Sequence, residues 1–217
     1  MLDIPIIKRN LLIVMSGPSG VGKSTVTEEL FKAPEMAATL EYSVSVTTRA
    51  PRPGETPGVN YIFETPERFA AMAEAGEFLE WAKVQVWHYG TPRANIDKAF
   101  ADGKDLYLEI DVQGGMNVKR AYPEAVLIFL TAPPAVFRAR LEGRPSALTG
   151  DALLKEIELR MDTARRELGF IHDYDYCVVN EKLDETVKSV ISIITAERCC
   201  VLKKSAGVVE HDSHRGD

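Results

Sequence analysis

The 217-residue chain is short of several things, and each shortage removes a class of function. It has only three cysteines, Cys177, Cys199 and Cys200, an odd number without metal-ligand spacing. That argues against a disulfide framework or a thiolate metal site, and Cys199-Cys200 reads as two incidental thiols. No apolar run approaches the roughly 20 residues of a membrane-spanning helix, so no membrane association is expected. Met1 to Asn10 carries two basic residues but no following apolar segment with a cleavage site, so the expected compartment is the cytoplasm. Positive charge is scarce as well. A net charge of −6 leaves no surplus for nucleic acid or an anionic membrane surface. Any polyphosphate must be gripped by a local basic cluster. Internal repeats are absent. What remains, 45% hydrophobic and 27% charged residues, is ordinary for one globular domain with room for inserted lobes.

The richest stretch is Ser16-Gly17-Pro18-Ser19-Gly20-Val21-Gly22-Lys23-Ser24-Thr25, which satisfies G-x-x-x-x-G-K-[ST] from Gly17 to Ser24. Leu11 to Met15 before it is an apolar run that reads as a buried strand. After it, Val26, Leu30 and Phe31 share one face of a helix. Strand, glycine loop and helix form the arrangement that turns backbone N–H groups and a helix N-terminus toward an anion. Residues 17–25 are therefore the candidate triphosphate cradle. Lys23 would reach the β- and γ-phosphates, and Ser24 would ligate Mg²⁺.

Further along, Tyr42 to Thr48 alternates and is β-branched, predicting a strand. It runs into Arg49-Ala50-Pro51-Arg52-Pro53-Gly54-Glu55-Thr56-Pro57-Gly58, a stiff loop, and then Asn60 to Phe63, a short strand. Thr65 and Pro66 are good N-cap and N1 residues for a helix that Gly76 stops. Glu77–Val84 and Val86–Gly90 predict strands, and a helix opens at Thr91-Pro92. From Leu106 strands and helices alternate: strand Leu106–Asp111, helix Gly114–Tyr122, strand Ala125–Leu130 and helix Pro134–Leu141. A long helix Asp151–Leu168, a strand Tyr174–Asn180 and a helix Leu183–Arg198 follow. Such alternation implies a parallel sheet covered on both faces. Lys203 to Asp217 is polar and aperiodic, a disordered tail by composition.

A phosphate loop alone does not name the acceptor. Arg49 and Arg52 on a proline-stiffened turn suit a phosphate monoester, since guanidiniums are planar, always charged and bidentate. Glu80 sits in an apolar stretch, Phe78-Leu79-Glu80-Trp81-Ala82. A partly buried carboxylate needs donors. The guanine edge supplies two on adjacent atoms, and hydroxyls of Ser45 and Thr91 could serve other edge atoms. Asp111, at a strand's C-terminal end, fits an acid near Mg²⁺.

These segments, with Tyr89-Gly90-Thr91, occur in the order and spacing of guanylate kinases, and the chain resembles that family over residues 10–197. The resemblance implies an α/β, P-loop NTPase three-layer fold with a parallel β-sheet core, an inserted β-rich GMP-binding lobe and a mobile lid. Core segments would be 10–41, 104–142 and 168–197, the GMP-binding insert 42–103 and the lid 143–167. It implies Mg²⁺-dependent transfer of the ATP γ-phosphoryl group to GMP or dGMP, in purine nucleotide metabolism, by a monomer or homodimer. By the same resemblance Arg49, Arg52, Tyr61 and Tyr89 hold the GMP phosphate, and Ser45, Glu80 and Thr91 read guanine. Glu109 stands in the GMP site where the family usually carries Asp, and Asn180 lies near the adenine. Lys23, Arg52 and the lid arginines Arg144 and Arg160 are the candidate catalytic groups. The lid departs from the family: Pro145 to Gly150 replaces its paired acids, and Arg160 arrives about five residues late, although Arg160-Met161 matches the family's Arg-Leu step. Two other readings are a guanylate-kinase-like peptide-binding module and a P-loop kinase for a phosphorylated sugar. The intact Gly17, Gly22, Lys23 and Ser24 argue against the first. The Thr-Thr-Arg loop and Glu80 argue against the second.

Overall fold

A computed structural model describes residues 9–143 and 149–200. Leu12–Ser16 (β1) is buried along its whole length and lies at the centre of a five-stranded parallel sheet. Its order is β2-β7-β1-β8-β9, with β2 Leu40–Tyr42, β7 Asp105–Glu109, β8 Val126–Thr131 and β9 Tyr176–Val179. Because successive strand residues face opposite ways, β1 feeds two cores. Ile13 and Met15 pack with residues of helices α1 (Lys23–Lys32), α6 (Pro134–Glu142), α7 (Gly150–Glu167) and α8 (Leu183–Arg198). Leu12 and Val14 pack toward α4 (Arg93–Ala101) and α5 (Val112–Ala121). A parallel sheet needs such crossovers, and they leave the strands apolar on both sides. A short helix, α2 (Pro34–Thr39), lies between α1 and β2.

The insert forms a second sheet of order β4-β3-β6-β5: Ile62–Phe63, Val46–Thr47, Trp87–Pro92 and Phe78–Val84. Helix α3, Pro66–Glu74, covers one face through Phe69 and Met72 against Val46 and Phe78. It starts as its sequence predicts, with Thr65 Oγ1 accepting from Arg68 N at 3.2 Å and Pro66 following.

Several predicted bounds differ: Thr91-Pro92, expected to open a helix, closes β6 instead, and α4 begins at Arg93. Two further differences have a visible cause. The single strand read over Tyr42–Thr48 is divided between the sheets. Ser43 N still donates to Tyr107 O, extending the core ladder, but Asn95 Nδ2 then donates to Ser43 Oγ and Val44 O. These bonds carry the chain across to β3, so one alternating run serves both sheets. The helix read from Gly114 begins two residues earlier, because Asp111 caps it: Oδ1 accepts from Gly114 N at 2.7 Å. Arg144 and the tail beyond Cys200 lie outside the described residues.

Candidate active site

The phosphate loop leaves β1 at the carboxyl edge of the sheet, where crevices of open α/β folds form. Two glycines are required by shape. At Gly17, φ is +148° and a Cβ would lie 2.1 Å from Leu130 O. At Gly22, the residue before α1, φ is +100° and a Cβ would lie 2.6 Å from Asn180 Nδ2. No side chain caps α1, so its first N–H groups are directed at the loop's concavity. Lys23 Nζ donates to Gly17 O at 2.6 Å and Pro18 O at 3.2 Å. Ser24 Oγ donates to Glu109 Oε1 at 2.7 Å, which the pairing of Met15 with Glu109 on adjacent strands makes possible.

A cleft of about 470 Å³ opens beside the loop, walled by Gly22, Thr25, Arg140, Asn180 and Leu183. Asn180 is 2% exposed and supports the loop: Nδ2 donates to Val21 O at 2.9 Å while Oδ1 accepts from Thr186 Oγ1 at 3.1 Å. Arg140 Nη1 donates to the same Val21 carbonyl at 2.9 Å. Sequence reading passed over Arg140. Its signal was its place between Phe137 and Leu141, the two buried residues of α6, both of which lie against Gly20. From beside that stripe Arg140 reaches the loop, whereas Arg138, on the stripe's other flank, turns to Glu158.

A second cleft, about 310 Å³, lies between the loop and the insert. Ser19, Lys23, Tyr61 and Glu109 line both clefts, so they meet at the phosphate loop. On its inner side Glu80, 8% exposed, accepts from Thr91 Oγ1 at 2.8 Å. Burial pushes the Glu80 carboxyl up to about 7, the Thr91 hydrogen bond pulls it back in part, and nearby Asp111 raises it further. Asp111 is also raised, first by burial, against the opposing Gly114 N–H and Lys23 charge. Ser45, Arg52, Tyr61 and Tyr89 line the same space.

The glycine loop and a buried carboxylate therefore stand on adjoining walls of one crevice. The guanylate kinase family model matches residues 9–197. The chain belongs to the guanylate kinase family. It is 43% identical over 191 residues to a guanylate kinase of Listeria innocua, covering 88% of this chain and 90% of that protein. It is 44% identical over 193 residues to one of Halalkalibacterium halodurans, covering 88% and 91%. The crystal structure of guanylate kinase from Anaplasma phagocytophilum superposes with a TM-score of 0.72 at 30% identity, over 89% of each chain. Membership of the guanylate kinase family carries the three-layer fold with it, and the parallel core described above agrees.

Not every residue suggested by that resemblance lies on a cleft wall. Arg49 is 7% exposed and turned into the insert, where Nη2 and Nη1 donate to the Glu55 carboxylate at 2.8 and 2.9 Å. Its Nε donates to Tyr89 Oη at 3.3 Å, and its guanidinium lies 5.3 Å from the Tyr61 ring centroid. The Arg49 hydrogen bonds hold Glu55 below the usual carboxylate range. Glu55 in turn accepts from Arg52 N at 2.7 Å, so one carboxylate fixes both arginines of the turn. Glu109, read as part of the acceptor site, faces Ser24 and both clefts. Arg160 is half-buried on α7, donates through Nε to Glu156 at 3.0 Å, and lines neither cleft. Among the described arginines, Arg140 is the one on the first cleft's wall.

Proposed function

We propose that the chain transfers the γ-phosphoryl group of ATP to GMP, with dGMP as a second acceptor, giving ADP and the nucleoside diphosphate. The observation that carries this reading is Glu80, a buried carboxylate held by Thr91, in a cleft that shares Lys23 with the phosphate loop. Guanine offers an adjacent N1–H and N2–H₂ to such an acceptor, whereas adenine offers an acceptor at N1. Ser45 and Thr91 serve the remaining base edge. Arg52, Tyr61 and Tyr89 hold the acceptor phosphate, and Arg49 acts on it through Tyr89.

ATP occupies the first cleft, its phosphates on the N–H groups of residues 17–25 and its adenine toward Arg140 and Asn180. An oxygen of the GMP phosphate attacks the γ-phosphorus in line while the bond to the β–γ bridging oxygen breaks and ADP leaves. The attacking group is already an anion, so no strong general base is needed. Catalysis rests on positioning and on cancelling charge over the transferring group. Lys23 and Arg52 approach it from the two clefts, and Arg160, in the described part of segment 143–167, joins them on closure of that segment. Closure of that segment and of the insert around both nucleotides limits transfer to water.

The donor set fits Mg²⁺. Among the described residues no group of three or more His, Cys, Asp or Glu could hold a metal by itself. That suits an ion that takes one or two protein oxygens and completes its shell with phosphates and water. Ser24 would hold it, with Glu109 and Asp111 behind, and when bound it neutralises charge shared by the β- and γ-phosphates. No described helix is long and apolar enough to cross a membrane. The proposed place of work is the cytoplasm, where ATP and GMP are dissolved. All these groups come from one chain, so a monomer or homodimer would serve.

The test is a coupled ADP-release assay with ATP and Mg²⁺, adding GMP, AMP, CMP or UMP in turn. Turnover with GMP alone is expected. ATP binding without turnover on any monophosphate would point to another acceptor. Loss of ATP binding as well would favour a peptide-binding module.

A further inference from the structure

The β5–β6 hairpin presents three cross-strand rungs to the second cleft: Glu80 with Thr91, Ala82 with Tyr89, and Val84 with Trp87. Alternation puts all six on one face of the hairpin, and the residues from Ala82 to Tyr89 on that face line the cleft. The first rung is the buried carboxylate and its hydroxyl, and the second carries the phenol bound to Arg49. Nothing in the mechanism above uses the third.

That rung is unusual for a hairpin end. The two-residue turn Gln85-Val86 has Gln85 at φ +57°, the only non-glycine with positive φ among the described residues. Glycine or asparagine is the ordinary occupant of such a position. The tip is also apolar where water would favour polar groups: Val86 is 68% and Trp87 39% exposed. The hairpin's other tryptophan is on the opposite face, its ring edge-on to Phe69 at 6.2 Å and to His88 at 6.0 Å. Trp87 has no aromatic partner among the described residues. A strained turn that holds an exposed indole at the mouth of a cleft is a candidate contact for whatever fills it.

We infer that Trp87, with Val84, is an apolar lip of the acceptor cleft that packs against the phosphate end of the bound nucleoside monophosphate. This rests on the proposed GMP site. At about 3.3 Å per residue, Trp87 is about 13 Å along the strand from Thr91, too far to touch the base edge that Glu80 reads. The lip therefore sets affinity and not base choice. Covering the phosphate removes water from beside Arg52 and lowers the local dielectric, which strengthens the ionic contacts and protects them from salt.

The readout is fluorescence. In a Trp81→Phe protein Trp87 is the remaining tryptophan, and GMP should change its emission saturably; in Trp87→Phe the emission should not respond. Trp87→Ala should raise KM for GMP by about 5–20-fold, leave KM for ATP and the preference for GMP over AMP unchanged, and steepen the rise of KM with ionic strength. Trp87→Phe, which keeps a ring, should stay within about 3-fold of the parent. GMP binding seen by calorimetry with no change in Trp87 emission would overturn the lip and leave the acceptor assignment standing. Failure of the unsubstituted chain to bind GMP would overturn both.

Discussion

In the proposed reading the two clefts solve the same problem, holding a phosphate, by opposite means. The donor cleft uses backbone. Gly17 and Gly22 stand where a Cβ would strike Leu130 O or Asn180, and the recognition groups are N–H groups in sequence with one another. The acceptor cleft uses side chains gathered from Ser45 to Asp111 across two sheets. A backbone cradle is cheap to encode and indifferent to the base. A side-chain cradle chooses its ligand, but it must hold charged groups in a partly buried lobe. The Arg49–Glu55 clamp is the cost of that choice.

Substitutions can test the contrast. The largest effect is expected on the donor side: Lys23→Met should lower kcat by about 10²–10³-fold, since Lys23 lines both clefts and is the group proposed to reach the transferring phosphoryl. Equal loss of GMP and ATP binding with kcat retained would make Lys23 a binding residue and weaken the contrast.

The clamp should govern stability more than chemistry. The Arg49 and Glu55 side chains are 7% and 18% exposed, so Glu55→Gln leaves a buried guanidinium without its anion. A loss of about 2–3 kcal/mol is expected, seen as a fall of about 5–10 °C in Tm. Because Arg49 depresses the Glu55 carboxyl, the folded state binds its proton later than the unfolded chain. That stabilisation is present above the ordinary carboxylate range and is lost as pH falls through the lowered value. In Glu55→Gln the acid limb of the Tm–pH curve should flatten.

Glu80 carries the opposite shift. Glu80→Gln should raise KM for GMP by about 10–100-fold and leave ATP nearly untouched; equal losses for both nucleotides would remove Glu80 as base reader. With its carboxyl pushed up to about 7, Glu80 is protonated at mildly acid pH, so GMP affinity should decline as pH falls below that value. The folded state then holds a proton that the unfolded chain releases near 4.5, so stability without nucleotide falls as pH rises from there through about 7. The GMP phosphate titrates nearby, at about 6, and the Glu80→Gln protein separates the two: its KM profile should lose the Glu80 step and keep the phosphate's. The smallest effect should come from Cys177, Cys199 and Cys200, all exposed and free. Their replacement by Ser should change stability by less than about 0.5 kcal/mol and leave turnover intact.

What could be read from residues alone follows the same division. Helix Leu183–Arg198 has the bounds its pattern predicts, and β1 lies within one residue of its apolar run, because strong periodicity and local caps act over neighbouring residues. The division of Tyr42–Thr48 between two sheets was not legible, since it depends on Asn95, fifty-odd residues later in the chain. Arg140 was missed for a like reason: α6 shows its buried stripe, but not that the stripe rests on Gly20.

By itself, then, the sequence determined the parts whose contacts are local: the phosphate loop, the alternation that makes a parallel core, the capped helices and a carboxylate in an apolar strand. The tertiary structure decided which parts share a wall. It placed Ser24 on Glu109 across adjacent strands, turned Arg49 inward onto Glu55 and left Arg52 at the cleft. It also set Trp87 at the acceptor's mouth and Trp81 on the far face of the same hairpin. Those outcomes follow from strand register and from the demand that each buried charge find a partner, and both are settled only when distant segments meet.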